Sequence, residues 1–253
     1  MSETILVPHC RLPANVRMAF TTRDGGVSPP PWDSLNLGLH VGDRQDRVTA
    51  NRRRVREWLE LPAEPVWLNQ VHGTGVVAAE KAVPGTEADA SITRTPGVVC
   101  VVMTADCLPV LFADRTGTVV AASHAGWRGL AAGVLGETVA AMACRAGDLI
   151  ACLGPAIGPR HFEVGPEVRS AFIARAEDAD HRLEIEACFA SSARSGYFRA
   201  DLYDLAGVEL QRLGVGQVCG GDYCTYGDRT RFFSHRRDGV TGRMASLAWL
   251  VAQ

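Results

Sequence analysis

Three side chains able to hold a metal or activate a nucleophile stand at the ends of apolar runs: His72, Cys107 and His124. Each lies beside a turn residue, in NQVHG (69–73), TADCLPV (104–110) and HAGWRG (124–129). Taken singly, each has a plain structural explanation, a hydrogen-bonded loop histidine or a core cysteine. Taken together, two imidazoles and one thiolate at one rim of a sheet form a zinc set whose fourth position would be left for water. The same three residues would also serve a cysteine nucleophile, Cys107, with His124 or His72 as base. A third alternative is a closed, four-ligand zinc site that only stabilises the fold.

The elements that must bring them together run from Val98 to Gly129. VVCVVM, PVLFA and TVVAA are short, Val-rich and bounded by turn residues, the pattern of buried strands. If Arg115 and Thr116 form a two-residue hairpin loop between Asp114 and Gly117, Cys107 lies opposite His124 with Cβ atoms about 5 Å apart. A type I turn with Gly117 left-handed would shift that pairing by one residue and break the shared face. Around this segment the pattern predicts a strand over VRMAFTTR and a helix over 48–61. PVWLNQVHG should form a strand ending at His72, followed by a short strand in VVAAE. One helix over 129–145, a strand in LIACLGPAIG and a helix over 166–175 come next. A solvated acidic stretch over 177–186, a helix over 201–213, an edge strand near VCGG and a final strand in MASLAWL complete the chain. The irregular alternation predicts one α/β layered domain with mixed sheets over residues 1–253.

Composition excludes several function classes. Of 253 residues, 47% are apolar and 21% charged, and the net charge is −2, so nothing steers the protein broadly towards nucleic acid or a membrane surface. The arginines at 44, 47, 52, 53, 54 and 56 read as a solvated helix face. Lys81 is the only lysine among 26 basic residues and sits in a loop-like segment, which argues against Schiff-base chemistry. No apolar run reaches the ~20 residues of a membrane helix, and no export signal is recognisable at the start. The eight cysteines show no C-x-x-C pair; Cys100, Cys144, Cys152 and Cys188 lie in apolar runs and read as reduced core thiols. A cytoplasmic location follows as the expectation.

Further polar candidates flank the three. Arg128 in HAGWRG offers a fork for phosphate or carboxylate at the start of a helix, where amides and dipole favour an anion. Arg23 in TTRDGG and Asn36 in SLNLG are loop residues of the same potential use, and Asp106 is either a proton carrier or a turn residue.

NQVHG, DASIT (89–93), TADCLPV, HAGWRG, LGPAIGP (153–159) and FFSHRR (232–237) occur in an order that resembles the YfiH-type family. That family is known as laccase-domain or polyphenol oxidase proteins and, in newer usage, as purine nucleoside phosphorylases. TTRDGGVS, SLNLG, CT (224–225) and GR (242–243) extend the likeness over nearly the whole chain. The resemblance implies a catalytic zinc on His72, Cys107 and His124, with copper conceivable in the same site, in a four-layer α/β sandwich. It also implies phosphorolysis of adenosine, inosine, guanosine or methylthioadenosine and deamination of adenosine, so that the partners are nucleosides and phosphate. The chain departs from the family pattern at His235, where Tyr is usual, at Arg160-His161, where small residues or Cys are expected, and at Ala206, where Asn is common. A laccase-type four-copper centre needs about ten imidazoles, largely in His-x-His pairs; seven histidines without such a pair exclude it.

Overall fold

Alternation along the strands decides the layering. The computed structural model describes residues 4–252. In chain order the strands are β1 (Ile5–Leu6), β2 (Val16–Thr21), β3 (Val76–Ala78), β4 (Ala90–Thr93), β5 (Val99–Thr104), β6 (Leu108–Asp114) and β7 (Val120–Ala125). They continue with β8 (Leu149–Leu153), β9 (Glu163–Val164), β10 (Phe189–Ser191), β11 (Phe198–Ala200), β12 (Gln217–Gly220) and β13 (Met244–Leu250). The α-helices are α1 (Gln45–Trp58), α2 (Trp127–Ala132), α3 (Val134–Met142), α4 (Pro166–Ile173), α5 (Ala179–Ala187), α6 (Leu202–Arg212) and α7 (His235–Asp238). A six-stranded sheet has the order β12-β8-β6-β7-β4-β3, a four-stranded sheet β1-β2-β13-β5, and a small one β10-β11-β9.

Both large sheets are apolar on both faces, so each must be covered twice. Leu111, Ala113, Val120, Ala122 and Ile150 of the six-stranded sheet meet Met18, Phe20, Cys100, Val102 and Ala248 of the four-stranded one. The alternate residues Leu108, Val110, Phe112, Ala121 and Ala151 face helix residues such as Leu135, Val139 and Leu205. On the far side of the molecule, Val99, Val101, Leu247 and Trp249 pack with Val55 of α1 and with Leu35, Leu37 and Trp67 of the loops. The result is helix–sheet–sheet–helix, the four-layer arrangement that the family resemblance implies. Phe112 has no exposed surface at the centre of this stack; Phe112→Ala should cost about 3–5 kcal/mol in denaturant unfolding.

Four local expectations are corrected. The hairpin loop is wider than two residues: Asp114 N–H donates to Val119 O, and Pro109, not Cys107, pairs with His124. The cause is the Asp114 carboxylate, which accepts from the N–H groups of Thr116, Thr118 and Val119 and so gathers a four-residue loop. The slip is two residues, an even number, and therefore preserves facing. PVWLNQVHG is not a strand; its one bridge joins Asn69 to Glu87. The Gln70 amide takes over the role of a strand neighbour, donating to Met103 O (2.8 Å) and accepting from Met103 N–H (2.7 Å). The helix expected over 129–145 is two helices, α2 and α3, separated at Gly133, whose φ of 100° ends the first. The acidic stretch contains α5, started by Asp178 accepting from His181 N–H and held by buried His181 and Ile185.

Candidate metal centre

Strand ends and one carboxylate assemble the centre. His124 is the next-to-last residue of β7 and is 3% exposed. Cys107 immediately precedes β6, after Asp106 turns the chain with a φ of 92°. His72 sits in the loop before β3 with a φ of 60°, an unusual backbone for a histidine. Asp89, at the entry to β4, holds that loop. It accepts from the N–H groups of Val71 (3.2 Å), His72 (2.9 Å) and Gly73 (2.6 Å), and the same carboxylate accepts from His124 Nδ1 (2.8 Å). A carboxylate can only accept here, so Nδ1 of His124 carries a proton and Nε2 is the nitrogen left for a metal. One buried side chain thus orients two of the three ligands.

The Cys107 Sγ lies 3.9 Å from His72 Nε2, and the two imidazole centroids are 4.8 Å apart at 72°. One ligand atom from each of the three residues falls within 4.8 Å of the others. A tetrahedral ion with bonds of about 2.0–2.3 Å sets its donors roughly 3.3–3.8 Å apart, so the set fits zinc after a small contraction. Gly126 supports the same conclusion. Its φ of −60° is open to any residue, yet a Cβ there would stand 2.9 Å from Cys107 Sγ, 3.0 Å from His72 Cδ2 and 3.4 Å from His124 Nε2. The glycine therefore keeps space beside the donors. At Gly129 a Cβ would meet the Gly73 carbonyl at 2.9 Å, so this second glycine lets α2 approach the His72 loop.

Burial pushes the Cys107 thiol up, but the His124 and His72 imidazoles outweigh it and bring the group to about 6. Burial pushes His124 down; the Cys107 thiolate and Asp89 reverse this and raise it to about 9. Without metal the pair is a thiolate beside an imidazolium, the two titrating as a unit. Metal-free protein should accordingly be alkylated at Cys107 with a rate that falls only as pH drops through about 6, and loading the centre with zinc should protect it. Mass-spectrometric mapping of iodoacetamide adducts across pH measures both.

Asp106 has both oxygens engaged, Oδ1 by Thr225 Oγ1 (2.6 Å) and Oδ2 by Arg236 N–H (2.7 Å), and so fixes the turn before Cys107. Arg128 is exposed, its guanidinium 4.4 Å above the Trp127 ring. Helix α2 has six residues, too short for a strong dipole, so an anion there would depend on the side chain. Arg23 donates to Asp33 O (2.8 Å), Asp33 Oδ2 (3.1 Å) and Arg229 O (3.1 Å), tying two loops together. Asn36 is wholly buried. Its oxygen accepts from Gly38 and Arg243 N–H, and its nitrogen donates to Gly38 O and Asp43, which leaves no polar atom for a ligand.

Two residues of the centre escaped sequence reasoning. Asp89 opens the DASIT motif without a role assigned to it; its position at a strand entry 17 residues beyond His72 was the available signal. Arg243 is half-buried and lowered by that burial, with Cys107 and Asp106 acting in the opposite direction, which puts its charge within electrostatic reach of the centre.

The family model described as multi-copper polyphenol oxidoreductase laccase matches residues 17–251. A purine nucleoside phosphorylase of Pseudomonas aeruginosa is 54% identical over 245 residues, covering 97% of this chain and 98% of its own. Purine nucleoside phosphorylase YfiH of Shigella flexneri is 52% identical over 248 residues, covering 98% of this chain and 99% of its own. Among solved structures, a Neisseria meningitidis protein superposes with a TM-score of 0.92 at 51% identity, over 99% of this chain and 100% of its own. YlmD of Geobacillus stearothermophilus reaches 0.84 at 32% identity, over 94% and 93%. The chain belongs to the YfiH-type laccase-domain family. Among the described residues no helix is long and apolar enough to cross a membrane.

Proposed function

We propose that the chain is a zinc-dependent purine nucleoside phosphorylase-type enzyme acting on adenosine, inosine, guanosine or methylthioadenosine, with adenosine deamination at the same site. The observation that carries this reading is the three-ligand set with space kept open by Gly126. The names of the full-length relatives supply the substrate class. His72, Cys107 and His124 would hold the ion, and zinc so held supplies Lewis acidity at neutral pH. Asp89 keeps the His124 proton on Nδ1 and the imidazole in one orientation. Exposed Arg128 binds phosphate, and half-buried Arg243 adds positive charge within electrostatic reach of Cys107. Arg23 and Asn36 serve the site by fixing the loops next to it. Asp106, with both oxygens engaged, moves no proton.

A second reading, a cysteine hydrolase, is favoured by one observation, the Cys107 thiolate paired with the His124 imidazolium. One experiment separates them: adenosine is incubated with zinc-loaded and with chelated protein, with and without phosphate, and the products are resolved by chromatography. Zinc-loaded protein should give adenine only when phosphate is present, and inosine in either case. Absence of all three of adenine, ribose 1-phosphate and inosine from zinc-loaded protein refutes the first reading. Full hydrolase activity in metal-free protein would establish the second.

A further inference from the structure

A second group of soft donors lies away from this centre and shares no residue with it: Cys10, Cys152 and Cys219. Cys152 of β8 and Cys219 of β12 are direct neighbours in the parallel ladder, their sulfurs 3.4 Å apart on the face that meets the four-stranded sheet. Cys10 reaches the same point from the segment after β1. It is bonded to Cys219, and its sulfur is 2.9 Å from that of Cys152. About 50 Å³ of space borders the three sulfurs, rimmed by exposed His9 and Asp222.

Two uses of three clustered sulfurs can be told apart. In thiol–disulfide exchange the attacking sulfur lies in line with the bond it breaks, about 2 Å nearer to one sulfur than to the other. The two distances from Cys152 differ far less, 2.9 and 3.4 Å, so it stands beside the pair. Burial also pushes Cys152 up to about 12, which leaves little thiolate to attack. A sulfur placed side-on to two others is instead the arrangement of three ligands around one ion. Thiolate sets select monovalent copper or zinc, and structural zinc takes four ligands. His9, the neighbouring fourth candidate, lies outside the group of mutually close donors.

We propose that Cys10, Cys152 and Cys219 form a second site, a three-thiolate site for monovalent copper, that exists only when the Cys10–Cys219 bond is reduced. A dithiol reductant supplies two electrons and two protons; the S–S bond becomes two thiols and the reductant closes to its own disulfide. The cation then binds the three sulfurs and their protons pass to solvent. Disulfide and copper are alternative occupants of the same sulfurs, so the redox state decides whether the site can bind.

The test uses the full chain with zinc already at the first centre, either reduced by a phosphine without air or oxidised. Monovalent copper is titrated in against bicinchoninate. The reduced protein should retain one copper per chain that the oxidised protein does not, with thiolate-to-copper absorption in the ultraviolet. Cys152→Ser, and separately Cys10→Ser on the half-buried segment, should each lose that copper with zinc content unchanged. Equal copper in the two redox states, or copper retained by both variants, overturns the proposal. So does a reduced cluster that prefers zinc and loses it in His9→Ala.

Discussion

Gly126→Ala should abolish zinc retention and turnover while the chain stays folded. The added methyl group lands against all three side chains, at 2.9, 3.0 and 3.4 Å, and no single side-chain movement relieves three contacts that converge from different elements. Its backbone at φ −60° and ψ 155° is one that alanine adopts freely, so the substitution carries no conformational penalty. Overpacking of this kind costs about 1–3 kcal/mol, a few degrees in the melting transition of a chain this size. Metal affinity should fall by about 100-fold or more, at or beyond the upper end for loss of a supporting residue. Metal content by mass spectrometry, read beside a circular-dichroism melt, separates the two effects. A variant that keeps stoichiometric zinc would show that the ion does not sit among these donors.

Asp89→Asn should lower both stability and metal affinity, because one carboxylate serves both. The amide is nearly the same shape but offers one acceptor oxygen to four donors, and turns an N–H₂ towards N–H groups or towards His124. Removing one partner of a buried charged pair costs about 3–5 kcal/mol, and loss of the second-layer hydrogen bond about 10–100-fold in metal affinity. The pH dependence carries a separate signature. Burial pushes Asp89 up, but His124 and the N–H groups of Gly73 and His72 more than offset this and hold it below the ordinary 3.8. A carboxylate so lowered contributes stability that is complete above 3.8 and is lost as pH falls through its folded value. That acid-sensitive component should be missing from the variant. Urea titrations at pH 7 and in the acid range test it, and equal slopes for both proteins would remove Asp89 from this role.

Most of the centre could be read before any coordinates, and the reasons are physical. Strand periodicity placed Cys107 and His124 at neighbouring strand ends, and an even register slip left their facing intact. The parts that were misread depend on side chains replacing backbone. Asp114 widens a hairpin by collecting loop amides, and Gln70 stands in for a strand, so His72 arrives on a loop that only Asp89 holds. Gly133 divides a helix that its flanking apolar spacing made look continuous. The bonds of Gln70 and Asp89 join residues distant in sequence, and none of these side-chain devices leaves a periodic trace. The cysteine pair 10 and 219 was illegible for the same reason, since 209 residues separate its members.

The position of β13 imposes an order on biosynthesis. This strand lies between β2 and β5, so a nascent polypeptide that has emerged only as far as Gly239 holds two strands with a gap where their shared neighbour belongs. Thr225 and Arg236, which tie down the turn before Cys107, come 119 and 130 residues after Asp106. His72, Cys107 and His124 are therefore all translated before β13 can close the four-stranded sheet.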